Sequence, residues 1–487
     1  MASLRSQAIS GVKWTTLQTA VAGIIGPALL IVQARFLSPE EFGHMAIILM
    51  VIGLFNLLEG LGISQAVIQR DEISAQESSS LFYLNVFLCF FLAGLLYLIS
   101  PLIGAFFSVP ELTGYLRLAC IIVVFTGPSL LCRAFLEKHL HFKHLSLTDI
   151  LRNLVILGAT TLFLVKGLGV PGVVYAQIMG VALTTLATLV LSIRLRVAPV
   201  SLFFSPLKLI PFLRFGIFVS AKQLMTFAAH RMDEVIIGYF LTPEILGIYH
   251  FGKNLLERIR TLMTMSFGKV LFPIMSQLKH QPEKLTSAYH RISHFIAFAA
   301  FPVFAGIAVT AHLFVPLIFG EQWAPSVIVF QVFSIAVILL ALTANVSSSL
   351  LYSVNKPDEV FYIDVVTNAL YFTSLLVATI HGMIAVLLAY SFYVLYKTLT
   401  LQYFANRRLT DGFRAYFRQL TKPGTSALVM VAAVLSFQFA TSPFLAETAQ
   451  LAGSMTIGLL VYSSMSWLLS RDTLFQLRAA LAERVVP

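Results

Sequence analysis

Charge is scarce in this chain. Only 11% of its 487 residues are Asp, Glu, Lys or Arg, against about 25% in a soluble globular domain. Hydrophobic residues make up 58%, and the mean hydropathy is +0.86. A particle of this size cannot hide such a surplus from water, so the bilayer must be its solvent. Cysteine is almost missing too. Cys89, Cys120 and Cys132 lie in or at the end of apolar runs, which suggests neither a disulfide framework nor a metal site. They read as small core hydrophobes. The polar stretch Met1–Ser10 is short, and no small-residue cleavage pattern follows it. The first apolar run is therefore expected to stay as a membrane span.

What the chain does have is apolar runs. A spanning helix needs about 20 such residues. Runs of that kind fall at 11–34, 42–64, 80–102, 114–135, 150–168, 170–193, 215–240, 246–268, 292–316, 325–352, 360–380, 382–404, 424–443 and 449–470. This predicts an all-α integral membrane protein of about 14 spans. The net charge of +11 invites nucleic acid as a partner, but its distribution argues otherwise. With a cytoplasmic N-terminus, 25 basic residues fall in cytoplasmic segments and three (Arg35, Arg117, Lys166) on the other side. That asymmetry is the positive-inside signature. Both termini are expected in the cytoplasm, and no nucleic-acid partner is expected. External segments are short, about 11 residues at most by the span lengths used, which leaves no room for an external catalytic domain.

The sequence also repeats itself. Residues 36–43 read FLSPEEFG and residues 240–247 read FLTPEILG. Each string follows one apolar span and opens the next. Proline is tolerated in a first helical turn, and a carboxylate suits the positive helix end. The plain alternative is a generic connector between helices. The position of the copies, after the first and seventh spans, instead predicts two parallel halves of six helices. The expected organisation is an N-lobe at 1–195 and an amphipathic cytoplasmic linker at 196–214. A C-lobe follows at 215–404, then a linker, two more spans and a cytoplasmic tail at 405–487. In such two-lobed bundles the substrate sits between the lobes, which rock against each other.

A set of motifs then resembles a known family. The strings are ARFLSPEEFGHMAI at 34–47, Leu130-Leu131-Cys132-Arg133 leading to Phe142-Lys143, and Phe215-Gly216. They continue with RMDEVIIGYFLTPEILGIYHFGKNL at 231–255, VLFPIMSQL at 270–278, the Tyr289 region, Pro302 and FGEQWAPS at 319–326. Together they resemble the polysaccharide-transporter (Wzx-type) branch of the multidrug/oligosaccharidyl-lipid/polysaccharide flippase superfamily, nearest the colanic-acid exporters. The resemblance thins from about residue 380. It implies a bacterial inner-membrane flippase with two six-helix lobes like those of multidrug antiporters. The implied substrate is an undecaprenyl-diphosphate-linked oligosaccharide, moved from the cytoplasmic to the outer leaflet. Implied partners are membrane lipid, a coupling H+ or Na+, and the polymerase and glycosyltransferases of the pathway. No cofactor is expected.

Ionisable residues inside spans are costly, by about 2.5–3.5 kcal/mol each on insertion scales, and usually face a cavity or a partner. The seventh span carries Lys222, His230, Arg231, Asp233 and Glu234; the eighth carries Lys253, Asn254, Glu257, Arg258 and Arg260. Lys253, Glu257 and Arg260 share a helix face, and Glu257 is expected to pair with Lys253 one turn away. The remaining cations suit a diphosphate headgroup, since arginine grips phosphate oxygens with its fork and lysine acts as a point charge. Arg258 and Arg260 could instead anchor the helix by snorkelling. Asp233 and Glu234 are candidate coupling carboxylates, or they neutralise Arg231. Glu257 and Glu59 are weaker coupling candidates, and Gln18 and Asn56 candidate sugar contacts. Polar groups such as Asp364, Thr367 and Asn368 read as glue between helices. The aromatic and basic segment 405–422 reads as an interfacial anchor. Two other functions remain open: a cation-coupled multidrug or metabolite antiporter of the same fold, and a membrane polymerase or ligase of lipid-linked glycans. Short external loops argue against the second.

Overall fold

A computed structural model of the chain describes residues 4–60, 62–197, 203–343 and 346–469. The expected cytoplasmic tail beyond residue 469 and part of the 196–214 linker lie outside these residues. Among them there is no strand, and the elements are helices throughout. In order these are α1 (Leu4–Phe36), α2 (Pro39–Gly60), α3 (Ile63–Gln69), α4 (Ala75–Phe106), α5 (Glu111–Lys138) and α6 (Phe142–Val165). They continue with α7 (Gly169–Leu195), α8 (Ile210–Phe240), α9 (Pro243–Leu278), α10 (Pro282–Phe314), α11 (Val327–Thr343) and α12 (Val346–Ser353). The last four are α13 (Pro357–Thr379), α14 (Met383–Asn406), α15 (Phe413–Thr441) and α16 (Glu447–Leu469).

Twelve of the described helical segments are long and apolar enough to cross a membrane. The two long helices outside that set are α8 and α9, of 31 and 36 residues. They hold the ionisable groups read from the sequence, which is why composition sets them apart. Phe439, Phe444, Ile380 and Ile193 are each at least three-quarters exposed. In water such a surface would be untenable; against lipid tails it is the expected one.

Helix boundaries follow local chemistry. Pro39, Pro243, Pro282 and Pro357 each open a helix, where the missing N–H costs nothing. Ser74 and Glu77 form a capping box at the start of α4. The α6–α7 break is made by Gly167 and Gly169, both at positive φ. The span expected at 42–64 is broken near Gly62, whose φ is +61, so α2 ends and α3 starts afresh. The anchor segment 405–422 is in part helix, because Phe413–Lys422 forms the first turns of α15. Its aromatic and basic residues repeat at helical spacing and simply prolong the span.

The chain divides into two compact units, residues 1–247 and 248–487. In the first, α4 packs on α5, α6 on α7, and α1 on α6. Helix α8 lies against α2 and α3. A tight core of Ile63, Val67, Leu131, Phe135, Leu145 and Phe212 ties α3, α5, α6 and α8 together. In the second, Trp323 is fully buried against Phe251. Tyr289 donates to Gln402 Oε1 at 2.6 Å and meets Ser347 Oγ at 2.9 Å. Helices α15 and α16 pack against α10, where the Tyr462 hydroxyl donates to the Phe298 carbonyl at 2.8 Å.

Candidate functional site

The two copies of the repeated string meet. A Cβ built on Gly43 would lie 1.9 Å from the Pro243 carbonyl oxygen, and one built on Gly247 would lie 1.8 Å from that of Pro39. Each glycine stands four residues after the proline of its own copy, so the contact is reciprocal. Both halves of it lie within the first unit. Nearby, Gly62 faces Gly216, with a Cβ at Gly62 only 2.7 Å from the Gly216 Cα. Helix α2 therefore rests on α8 and on the first turns of α9 at glycine contacts.

The charged residues of α8 form a local cluster. Arg231 reaches both carboxylate oxygens of Glu234 at 2.9 Å, and Glu234 is 2% exposed. Asp233, also buried, accepts the Glu234 backbone N–H at 2.9 Å. Lys222 is exposed, two and a half turns earlier on the same helix.

In the second unit, α9 corrects one expectation. Glu257 pairs with Arg260, at 2.6 and 2.9 Å, and not with Lys253. Both partners are geometrically allowed on a helix, and arginine offers two donors to one carboxylate oxygen. Lys253 lies 5.6 Å from the centre of the Tyr249 ring. Asn254 Nδ2 meets His250 Nε2 at 2.8 Å. Arg258 is exposed and has no ion-pair partner among the described residues.

A constellation that sequence reading missed lies in the first unit. Arg133 of α5 grips Asp149 of α6 with both ends of its fork, at 2.8 and 2.7 Å. Gln18 of α1 donates to the same Asp149 at 2.8 Å and accepts from Ser146 at 3.2 Å. Gln18, proposed as a sugar contact, is therefore occupied within its own bundle. Arg152 lies one turn from Asp149, and its buried Nε has no hydrogen-bond partner. The signal was Asp149 itself, an acid three residues before a basic one within an apolar run. Of the two remaining candidates, Asn56 is exposed. Glu59 is 1% exposed, and its Oε1 has no partner.

Three cavities lie in the second unit among the described residues, and the two larger ones bear on the site. An apolar one of about 570 Å³ is lined by α9, α10, α11, α15 and α16, with Pro302, Phe314, Met430, Val434 and Tyr462 on its wall. A polar cleft of about 1080 Å³ lies between the first turns of α10 and α15. No group of three or more His, Cys, Asp or Glu side chains that could hold a metal occurs among the described residues.

The profile of a family described as "Polysaccharide biosynthesis protein" matches residues 32–328. The chain belongs to that family. Its matched region runs from the end of α1 into α11, and so contains both copies of the repeated string and all the charged groups of α8 and α9. Among its relatives is the lipopolysaccharide biosynthesis protein WzxC of Escherichia coli (strain K12). The two are 26% identical over 434 residues, which is 86% of this chain and 85% of WzxC. The teichuronic acid biosynthesis protein TuaB of Bacillus subtilis (strain 168) is also 26% identical, over 95% of both chains. Among solved structures, the inward closed form of the lipid II flippase MurJ superposes with a TM-score of 0.74. It is 14% identical and covers 94% of this chain and 99% of MurJ. At that identity the likeness establishes the fold alone, an all-helical one.

Proposed function

We propose that the protein is a transporter, not an enzyme. It moves an oligosaccharide carried on a polyprenyl diphosphate from the cytoplasmic to the outer leaflet of a bacterial inner membrane. The observation that carries the reading is the apolar cavity of about 570 Å³ beside α15 and α16. These two helices are surplus to a twice-six repeat, and they give a polysaccharide-family protein somewhere to hold a hydrocarbon chain. A soluble sugar needs no such space; a prenyl tail fits it, because an apolar lining can replace the lipid chains that surround the tail in the bilayer.

In this reading the two halves alternate access, both termini are cytoplasmic, and Lys253 and Arg258 draw the diphosphate, while Arg260 is held by Glu257. Asp233, Glu234, Glu257 and Glu59 are the groups through which H+ or Na+ would couple. Glu59 stands out among them because it is buried and its Oε1 has no partner.

The test is reconstitution. Vesicles loaded with undecaprenyl-diphosphate oligosaccharide in the inner leaflet are treated with an impermeant glycosidase. Protein-containing vesicles should expose their substrate several-fold faster than empty ones. Equal exposure, with uptake of a lipophilic cation driven by a pH gradient instead, would favour the antiporter.

A further inference from the structure

Helices α10 and α15 carry two cavities one after the other along their length. The first is the polar cleft at their starts, where Arg291, Arg418 and Lys422 lie with His290 and His294. Its acidic members are Glu283 and Asp411, and Asp411 is already turned to the His290 ring at 3.5 Å. Three permanent cations thus outnumber two carboxylates. The second is the apolar cavity, to which the same helices contribute Pro302, Val303, Met430 and Val434. His294 and Pro302 are eight residues apart, as are Lys422 and Met430. On both helices the polar and apolar linings are therefore about 12 Å apart at 1.5 Å per residue.

The cleft has a built frame. The His294 Nδ1 meets the Gln419 carbonyl at 2.8 Å, and Thr410 is held to the Thr286 hydroxyl through both its N–H and its own hydroxyl at 3.1 Å. His290 is 6% exposed, lines the cleft, and its Nδ1 has no hydrogen-bond partner. A buried nitrogen left so is costly until something meets it.

We infer that this face of the second unit binds a phosphate-bearing lipid, with its headgroup in the cleft and its chain in the apolar cavity. A free anion would use the cleft and ignore the cavity, and a neutral sugar would use neither cation nor cavity. The occupant that matches both is a polyprenyl diphosphate, and that choice rests on the transport reading above. Arg291, Arg418 and Lys422 would then collect the substrate before it reaches the charged groups of α9.

The experiment uses the full chain in neutral phosphatidylcholine nanodiscs, with bound lipid counted by native mass spectrometry. The probes are undecaprenyl diphosphate, phosphatidylglycerol and inorganic diphosphate. Variants are the triple Arg291→Gln, Arg418→Gln, Lys422→Gln and, separately, Val434→Trp, which fills the cavity. Undecaprenyl diphosphate should bind at least tenfold less well to both variants. Inorganic diphosphate should bind the wild type at least tenfold more weakly than the lipid, and Val434→Trp should leave it unchanged. Wild-type retention of the lipid by the triple variant overturns the inference, as does inorganic diphosphate binding as tightly as the lipid. Phosphatidylglycerol held in place of undecaprenyl diphosphate upholds the lipid site and counts against the transport substrate, so the two readings fail separately. If the triple variant does not fold, Arg418→Lys against Arg418→Gln decides: the first should keep the lipid and the second lose it, and equal binding overturns the site.

Discussion

Alanine at Gly43 is the sharpest perturbation of the repeat. Its Cβ would stand 1.9 Å from the Pro243 carbonyl oxygen, whereas carbon–oxygen contacts between packed backbones run about 3.3–3.6 Å. Backbone cannot swing aside as a side chain can, so α2 and the start of α9 must part by more than 1 Å. Overpacking of this kind typically costs about 1–3 kcal/mol. Helix propensity works the other way, favouring alanine over glycine by about 1 kcal/mol. The net expectation is a loss of about 0–2 kcal/mol, and the same for Gly247→Ala. Together they should cost clearly less than the sum, because helices already separated by one methyl accept the second. A coupling of about 1 kcal/mol is in the range for residues in contact. Gly94→Ala and Gly158→Ala are the controls, since a Cβ at either meets nothing within 4 Å and only the propensity gain remains. The assay is unfolding of the four single variants and the double in mixed micelles with rising SDS. The reasoning is refuted if Gly43→Ala behaves like Gly94→Ala, or if the Gly43 and Gly247 losses simply add.

Three further predictions follow from the charged and polar groups. Asp149→Asn should destabilise by roughly 1–3 kcal/mol, as it strands the fork of a half-buried Arg133, and adding Arg133→Gln should recover part of the loss; equal midpoints for single and double variants would contradict this. Tyr289→Phe, which removes a buried hydroxyl shared by Gln402 and Ser347, should lower the unfolding midpoint by about 1–3 kcal/mol and leave membrane insertion unchanged, checked by fractionation. Lys253→Gln with Arg258→Gln should abolish surface polysaccharide export in a complementation strain while the protein level stays at wild type, and normal export by that variant would remove these two cations from the substrate path.

How far the sequence could be read depended on the range of the interaction concerned. Spans follow from runs of apolar residues, a local property, and the break between α6 and α7 was visible in the two glycines at 167 and 169. The repeat was visible as a string, and its proline and glycine both proved to matter. That Gly43 would touch Pro243 was not visible, because the contact joins residues 200 positions apart. The network around Asp149 was hidden for the same reason. Gln18 and Asp149 are 131 residues apart, and Arg133 looked like one more cytoplasmic charge in the orientation tally. Within a single helix the difficulty was different. Glu257 can reach i−4 or i+3 neighbours with equal ease, and Arg260 is the partner that brings two donors to one carboxylate oxygen. The polar cleft stayed hidden because 405–422 read as an anchor, and only the fold sets its cations beside Arg291 of α10.

Few charges make each one informative about its role. Arg231 with Glu234, Arg133 with Asp149, Arg260 with Glu257, and Lys397 with Asp364 at 2.8 Å are cations already answered by a carboxylate. A pair of that kind fixes one helix or joins two, and is a poor place for a travelling diphosphate, which would have to displace an anion held at contact distance. The exposed cations Arg258, Arg291, Arg418 and Lys422 stand in no ion pair among the described residues. These can lend their charge to a ligand and take it back. Neutralising the first set should therefore register in unfolding measurements, and neutralising the second in transport or lipid binding with stability little changed. A membrane protein that carries an anionic lipid has reason to keep both kinds, and to keep them apart.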